Sequence, residues 1–182
     1  MQPISGEGQK SFFVHNGQIY NFRELVSKDL SNDSQSIPFF LKENLNKNML
    51  SFFKQAVGSF AVGALEKNSI SAFRDVLGIK PMWFGENNEI FAFASEPQAL
   101  KKVGIYFPQP LLPGHLVSFS KNGFSQKKVF DLSDFKKTVP KKTSFEQFFK
   151  SFEQAIEWRT NGIKKCGVFF SGGVDSSTIA KA

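Results

Sequence analysis

The stretch SFAVGALEKNSISAF, residues 59–73, decides the class of fold. Two runs of apolar and small residues, 59–65 and 69–73, flank the turn residues 66–68. This pattern predicts a β-hairpin, because turn residues between two strand-forming runs bring those runs together as antiparallel neighbours. The chain is therefore expected to build at least part of its core on antiparallel sheet.

Further strands and two helices are predicted around this hairpin. Apolar runs bounded by turn residues predict two more hairpins and one single strand, at 81–84 with 90–94, at 116–119 with 129–130, and at 11–15. Helical spacing predicts helices at 36–44, where Pro38 suits the first turn, and at 49–56. Paired strands with helices inserted between them are typical of an α+β layer protein.

The composition narrows the class of protein. The 182 residues carry a formal net charge of +7 and are 41% hydrophobic, which argues against a disordered chain. The single cysteine excludes an internal disulfide framework. The first residues show no secretion signal, and no run reaches the roughly 18 apolar residues that span a bilayer. We therefore expect a cytoplasmic protein with no membrane partner.

Most of the positive charge lies in one segment, 121–142, which holds seven lysines and two aspartates. The turn signal Asn122-Gly123 and the run KKTVPKK at 136–142 are typical of a solvated hairpin end followed by a linker. A nucleic-acid surface is the alternative, but aromatic residues for base stacking are sparse in this segment. We expect no nucleic-acid partner and two domains, 1–140 and 141–182.

The second domain begins with an amphipathic helix. Apolar residues recur at helical spacing over 143–159, Ser144 with Gln147 fits a capping box, and the stripe that starts at Phe145 is predicted to be core. The run CGVFF at 166–170 is typical of a strand buried in a parallel sheet. The loop SGGVDSS and a further helix follow, and we expect the domain to be truncated inside that helix.

The loop at 171–177 has the composition of a phosphate site. Glycines permit close approach of the backbone, a helix N-terminus presents unpaired N–H groups, and serine hydroxyls add donors. The loop is predicted to bind phosphate or pyrophosphate, together with Mg²⁺ beside Asp175, which would otherwise repel the anion. A glycine-rich turn capped by serine is the alternative. The loop lacks a Gly-Lys-Ser/Thr ending, which disfavours a kinase or GTPase.

A second candidate site lies in HNGQIYNFREL, residues 15–25. The side-chain amide of Asn16 and the N–H of Gly17 supply two donors at one corner, which is the makeup of an oxyanion hole. An Asn-Gly pair is also a strong signal of a tight hairpin turn. The dipeptide taken alone favours the turn.

Five stretches together resemble the glutamine-hydrolysing asparagine synthetases. Residues 15–25 are similar to the family's NGEIYNYREL, and the loop at 171–177 resembles that of ATP-pyrophosphatases, which cleave ATP between the α- and β-phosphates. Three stretches of the family occur between them in the same order, FRDVLGIKP at 73–81, FASEPQAL at 93–100 and LPGHL at 112–116. The first three of these signatures alone also fit other class II glutamine amidotransferases, and the loop at 171–177 selects the asparagine-synthetase branch.

The resemblance implies a fold and an activity. The fold is an N-terminal-nucleophile α-β-β-α sandwich lacking its first strands, followed by the first helix, strand and loop of an α/β parallel-sheet nucleotide-binding domain. The activity is that of a ligase using ATP and Mg²⁺, which hydrolyses glutamine and passes ammonia to adenylated aspartate, releasing AMP and pyrophosphate. The implied partners are glutamine, aspartate and ATP, with a possible homodimer of the full-length protein.

The resemblance also implies roles for single residues. Asn16 and Gly17 would stabilise the oxyanion, Gln18 would border the glutamine pocket, and Asp33 would bind the glutamine α-ammonium. Asp33 lies in NDSQ, where the family has Ser-Asp-x-Glu, so a helix cap or turn residue is the alternative. The nucleotide would contact Phe170, mainly through its backbone, and the loop residues Ser171, Gly172, Gly173, Asp175, Ser176 and Ser177, with Asp175 also near magnesium.

The resemblance breaks at the nucleophile. The family uses a cysteine that directly follows the initiator methionine, whereas the second residue here is Gln2, and the arginine that holds the glutamine carboxylate has no counterpart. Cys166 lies in the predicted buried strand, which is more typical of packing than of chemistry. We therefore expect these 182 residues alone neither to hydrolyse glutamine nor to make asparagine.

Four other residues invite a functional reading. His15 and His115 lack further ligands at metal-binding spacing and are predicted to pack. Arg74 and Asp75 are predicted to form an ion pair that shapes the turn at Gly78, rather than a catalytic dyad.

Three other functions remain open: a β-lactam-synthetase type of ligase, a non-catalytic remnant that binds ligand without turnover, and a basic nucleic-acid module.

Overall fold

The computed structural model describes residues 2–6, 11–41, 45–135 and 144–182. The chain divides into two compact units, Met1–Lys137 and Thr138–Ala182. Within the described ranges, none of the helices combines the length and apolar character needed to cross a membrane.

The first unit is a mixed α+β structure, and its described residues form two antiparallel sheets. Its strands are β1 Ile4–Ser5, β2 Ser11–Ile19, β3 Gly58–Glu66, β4 Ser69–Arg74, β5 Trp83–Glu86, β6 Phe91–Ala94, β7 Gln109–Pro110, β8 His115–Ser120 and β9 Gly123–Lys128. Its helices are α1 Phe22–Leu25, α2 Ser36–Leu41, α3 Leu45–Gln55, α4 Pro97–Lys102 and α5 Leu132–Phe135. The larger sheet has the order β1-β2-β3-β4-β8-β9, and the smaller has the order β6-β5-β7.

One core fills the space between the larger sheet and helices α2 and α3. The helices contribute apolar side chains such as Ile37 and Phe52, and the sheet contributes inward-facing residues such as Phe13 and Phe60. The ring of Phe52 meets the rings of Phe60 and Phe73 edge-on, with centroids 5.4 and 5.9 Å apart. Edge-to-face pairs of this kind are favourable aromatic contacts, so the phenylalanine-rich composition is used to join helix to sheet.

A second core lies between the two sheets. Ala61 and Val117 on the other face of the larger sheet pack with Met82 and Phe84 on the side of the smaller sheet. The neighbour of Phe84, Gly85, faces Ile105, which follows α4, and α4 packs against β5 and β6. Since neighbouring residues of a strand face opposite sides, α4 covers the outer face of the smaller sheet. The layers therefore follow in the expected order, α-β-β-α.

The sequence-based strands and helices of this unit are largely confirmed. The hairpin β3-β4 has the predicted partners, with Val62 opposite Phe73, and β5 pairs with β6 as predicted. The pairing of 116–119 with 129–130 is wrong, because β8 pairs instead with β9, Gly123–Lys128. Helix α3 begins at Leu45 and α2 ends at Leu41, while 42–44 of the predicted first helix lie outside the described residues. The predicted linker, 136–142, lies outside them as well.

The second unit contains two helices in its described residues, α6 Phe145–Thr160 and α7 Val174–Lys181. The predicted capping box of α6 is confirmed. The N–H of Gln147 donates to Ser144 Oγ at 3.1 Å, and the N–H of Ser144 donates to Gln147 Oε1 at 3.0 Å. These two bonds satisfy two groups that a helix start otherwise leaves unpaired.

Two predictions about the second unit are wrong. Residues 166–170 form no strand, and Phe169 in the middle of this run is fully exposed at 102%. The phenylalanine stripe of α6 is not core, because Phe145 is 77% exposed and Phe148 is 57% exposed. A strand needs a neighbouring strand to satisfy its backbone, and the described part of this unit offers none.

Candidate functional site

Asn16 and Gly17 lie in the middle of β2, so the turn that the dipeptide favours is wrong. Asn16 is opposite Ala61 of β3 and Gly17 is opposite Phe60, and the pairing continues to Ile19 opposite Gly58. Side chains alternate along this strand, with Phe13, His15 and Ile19 buried. The inward-facing apolar residues on both sides of the dipeptide hold it in the sheet.

Gly17 fits this strand because it has no side chain. Its φ is +136°, a value that residues with a Cβ rarely adopt. A Cβ at this position would overlap the carbonyl oxygen of Ser59 and lie only 2.8 Å from the Cα of Phe60. Close approach of β3 and an unusual backbone conformation therefore both require glycine.

Among the residues that the structure describes, the outer edge of β2 is open at Gly17 and closed on either side of it. The N–H of His15 donates to Gln2 Oε1 at 2.6 Å, and Gln2 Nε2 donates to the carbonyl oxygen of His15 at 2.7 Å. The N–H of Ile19 donates to Asp33 Oδ2 at 2.9 Å. Because alternate residues of a strand direct their N–H groups to the same edge, the N–H of Gly17 belongs to this edge as well. Within the described residues, strand β1 pairs with Phe12 and Phe13 and not with Gly17.

The side chain of Asn16 lies on the face of β2 that looks towards the smaller sheet. Its Nδ2 donates to Ser95 Oγ at 3.4 Å, and both residues line an open pocket of about 260 Å³. The other lining residues are mainly apolar and come from both sheets, and they include Val14, Ala61, Met82 and Phe93. The side chain of Gln18 is exposed on the same face of the strand.

Asp33 ties the segment before α2 to β2. Asn32, not Asp33, caps the short 3₁₀ turn Asp33–Gln35, because its Oδ1 accepts the N–H of Gln35 at 3.3 Å. Asp33 Oδ1 accepts the N–H of Ser34 at 2.9 Å, while Oδ2 accepts from Ile19 as described above. Its half-buried carboxylate is therefore placed at the open edge, two residues along β2 from Gly17.

The two histidines differ in their surroundings. His15 is buried, and its Nδ1 forms a 2.8 Å hydrogen bond with Ser34 Oγ. Burial lowers the pKa of His15, with Asp33 opposing this shift and Lys80 adding to it. His115 is half-buried and its Nδ1 lies 2.8 Å from the carbonyl oxygen of Pro113. The residues that the structure describes contain no group of three metal-ligating side chains.

Arg74 and Asp75 both shape the turn at Gly78 through hydrogen bonds to the backbone. Arg74 donates to the backbone carbonyl oxygens of Lys80, Leu111 and Gly78. Asp75 Oδ1 accepts the N–H groups of Leu77 and Gly78, and its Oδ2 accepts the N–H of Phe60, each at 2.9 Å. The predicted structural role is confirmed: both side chains hold the turn through the backbone, and burial lowers the pKa of Arg74, a shift that the charge of Asp75 opposes.

In the second unit, the loop Ser171 to Gly173 leads into α7. The hydroxyls of Ser171 and Ser176 lie 3.1 Å apart, and the N–H of Ser171 donates to Ser176 Oγ at 3.3 Å. Gly172 has a φ of +78°, and Gly173 caps α7 without any side-chain hydrogen bond. Asp175 lies exposed in the first turn. The start of α7 therefore leaves backbone N–H groups available to an anion.

Sequence reasoning misplaced one candidate and missed two. Cys166 is exposed rather than buried, since the strand predicted around it does not form. Gln2, which in the sequence only marks the position where the family has its nucleophile, closes the edge of β2 with its side-chain amide. Ser95 lies in FASEPQAL, the stretch that resembles the family, but no spacing rule connects it with Asn16, 79 positions away.

Comparison with known proteins agrees with this fold. A family model described as glutamine amidotransferase domain matches residues 1–102, which is more than half of the chain. No curated protein matches the sequence significantly.

The solved structures that share the fold include the following three. The glutamine phosphoribosylpyrophosphate amidotransferase of B. subtilis, complexed with ADP and GMP, has a TM-score of 0.63 at 18% identity, covering 71% of this chain and 32% of that one. A structure described as the allosteric regulatory enzyme of purine biosynthesis has a TM-score of 0.64 at 19% identity, covering 71% and 31%. A glutamine aminotransferase class-II domain protein from Silicibacter pomeroyi has a TM-score of 0.52 at 12% identity, covering 66% and 68%.

The chain spans about a third of the length of the first two of these structures. At such identities the likeness concerns the fold, and the family assignment rests on the match over residues 1–102. Together with the α-β-β-α layers, this match establishes that the chain belongs to the glutamine amidotransferase domain family, of the class II type.

Proposed function

We propose that this chain forms the glutamine-handling part, and the beginning of the ATP-using part, of a glutamine-dependent asparagine synthetase. One observation carries the proposal: the N–H of Gly17 lies at an open edge of β2 beside the Asp33 carboxylate, and the side chain of Asn16 lines an open pocket on one face of the same strand, not a solvated turn. Two N–H donors directed at one oxygen would suit the carboxamide of glutamine, and they would suit the oxyanion formed on hydrolysis better still.

Asp33 has the right chemistry for the other end of glutamine. Each of its two oxygens accepts one backbone N–H. A carboxylate oxygen can accept more than one hydrogen bond, so both oxygens retain capacity for an α-ammonium group. Gln18 lies beside Gly17 in sequence and faces the same side as Asn16, where it would border the bound side chain.

The ATP-using part of the proposal rests on the loop of the second unit. Ser171, Ser176 and the uncapped start of α7 supply hydroxyl and N–H donors of the kind that bind phosphate. The neighbouring donors, Phe170, Gly172, Gly173 and Ser177, would contribute mainly through their backbone or hydroxyl groups. With no cluster of metal ligands in the described residues, Mg²⁺ would be held by Asp175 together with the phosphates.

Glutamine binding tests the first part of the proposal. Calorimetry with glutamine on this chain is expected to show binding that Asp33→Asn weakens at least about tenfold, because a charged hydrogen bond is lost. Asn16→Ala is expected to act mainly on hydrolysis in the full gene product, lowering kcat by about 10²- to 10³-fold. Asp29→Asn and Asn122→Ala, both exposed, are the matched controls. Equal glutamine affinity in Asp33→Asn and Asp29→Asn would contradict the assignment.

The nucleotide and the acceptor need separate measurements. Ser171→Ala and Asp175→Asn are expected to weaken binding of ATP with Mg²⁺, whereas the exposed Ser125→Ala is expected to leave it unchanged. Pyrophosphate release by the full gene product is expected with aspartate and not with other amino acids. Release with a different carboxylic acid alone would replace asparagine synthesis by another ATP-dependent ligation.

A further inference from the structure

His15 is a buried polar residue whose place in the core calls for a reason. Its side chain points inward with those of Phe13 and Ile19, and only 9% of the residue is exposed. Within the described part of the chain, its Nε2 is buried without a hydrogen-bond partner. An apolar side chain would avoid this cost, and residues that break the rules of core packing are often functional.

The other ring nitrogen of His15 completes a closed set of hydrogen bonds. Nδ1 bonds Ser34 Oγ at 2.8 Å, the N–H of Ser34 donates to Asp33 Oδ1 at 2.9 Å, and Asp33 Oδ2 accepts the N–H of Ile19 at 2.9 Å. This series of hydrogen bonds begins at His15 and ends at Ile19, four positions further along β2. Both oxygens of the Asp33 carboxylate are fixed by it, so the orientation of the carboxylate depends on where Ser34 is held.

We propose that His15 is a positioning residue, which acts through Ser34 to hold the Asp33 carboxylate at the open edge of β2. This inference deepens the proposed function and rests on it for the nature of the ligand. In this arrangement the side chain of His15 bonds Ser34, and its effect on a ligand passes through Ser34 and Asp33. It sets the angle at which the carboxylate meets an α-ammonium group.

The charge state of His15 suits this task. Burial lowers the pKa of His15, so the ring is neutral at neutral pH. A neutral ring can hold Ser34 by a hydrogen bond while leaving the negative charge of Asp33 uncompensated. Asp33 and Lys80 are the charged groups that act on the ring. A protonated ring would compensate Asp33 and weaken its attraction for an ammonium group.

Hydrogen exchange at the N–H of Ile19 tests the positioning role without any ligand. His15→Leu and Ser34→Ala are each expected to speed this exchange about tenfold, as is usual when one member of a hydrogen-bonded network is lost. The double variant is expected to add little, because both changes break one network. His15→Asn, which can place an amide group near the position of Nδ1, is expected to restore slow exchange.

His115→Leu is the matched control, since His115 also bonds through Nδ1 but lies on β8. The positioning role would be overturned if the N–H of Ile19 exchanged at the same rate in Ser34→Ala, His15→Leu and His115→Leu. Should His15→Leu unfold, the Ser34→Ala and His15→Asn results still decide the question. If the variants change exchange at the N–H of Ile19 but the chain does not bind glutamine, the positioning of Asp33 is supported and only the proposed function is refuted.

Discussion

Replacing Gly17 by alanine probes the feature on which the site depends, a strand rather than a turn at Asn16 and Gly17. In Gly17→Ala, a residue with a Cβ would have to adopt a φ of +136°. Strain of this kind costs about 1–3 kcal/mol. The methyl group would also overlap the carbonyl oxygen of Ser59, so β2 and β3 would have to part locally. Loss of about two ladder hydrogen bonds adds about 2 kcal/mol.

We therefore expect Gly17→Ala to lower the free energy of unfolding by about 4 kcal/mol. Two other glycines separate the cost of the positive φ from the cost of the overlap with the neighbouring strand. Gly58→Ala overlaps the carbonyl oxygen of Gln18 without a positive φ, and Gly123→Ala has a φ of +95° with no atom within 4 Å. Gly123→Ala is expected to cost only about 1–2 kcal/mol, which is the conformational part alone.

Urea unfolding followed by the fluorescence of Trp83 measures these differences. A Trp158→Phe background removes the other tryptophan, which lies in the second unit, so that the signal reports on the sheets. The midpoint and slope together give the free energy of unfolding. A cost for Gly17→Ala no larger than that for Gly123→Ala would refute the reasoning, because it would mean that Gly17 is not pressed against β3.

Three further outcomes are expected. Asn21→Ala should lower the free energy of unfolding by about 2–3 kcal/mol in urea unfolding, because its side chain donates to Gln55 O and accepts from Val57 N at 2.8 Å. Stability should fall as the pH drops below about 6.5, because the lowered pKa of buried His15 means that the unfolded chain binds its proton more readily. The thermal unfolding temperature of His15→Leu should depend less on pH, between pH 8 and 5, than that of the wild type. Asp75→Ala should cost about 3 kcal/mol in urea unfolding, since three backbone N–H groups lose their acceptor; an unchanged midpoint would contradict the account of the Gly78 turn.

The sequence was informative where local chemistry decides the structure. The hairpin of residues 59–73 and the capping box at Ser144 need only neighbouring residues, and both are confirmed. The turn predicted at Asn16 and Gly17 is wrong because turn statistics describe an isolated dipeptide. In the protein, pairing of nine residues with β3 outweighs that local preference.

Other features depend on groups that are remote in sequence. The run at 166–170 has the composition of a buried strand but finds no neighbouring strand in the described residues of its unit. The contact between Asn16 and Ser95 and the closing of the β2 edge by Gln2 join residues far apart along the chain. Composition and spacing contain no information about such pairings, whereas resemblance to a family can suggest them.

A titration of the ¹⁵N-labelled chain with glutamine, followed by NMR, tests whether glutamine binds at Asn16 and Gly17. Saturable shifts are expected for the backbone amide of Gly17 and the side-chain amide of Asn16, and Asp33→Asn should require much more glutamine to produce them. Shifts confined to other residues, with both of these amides unmoved at saturating glutamine, would contradict binding at this site.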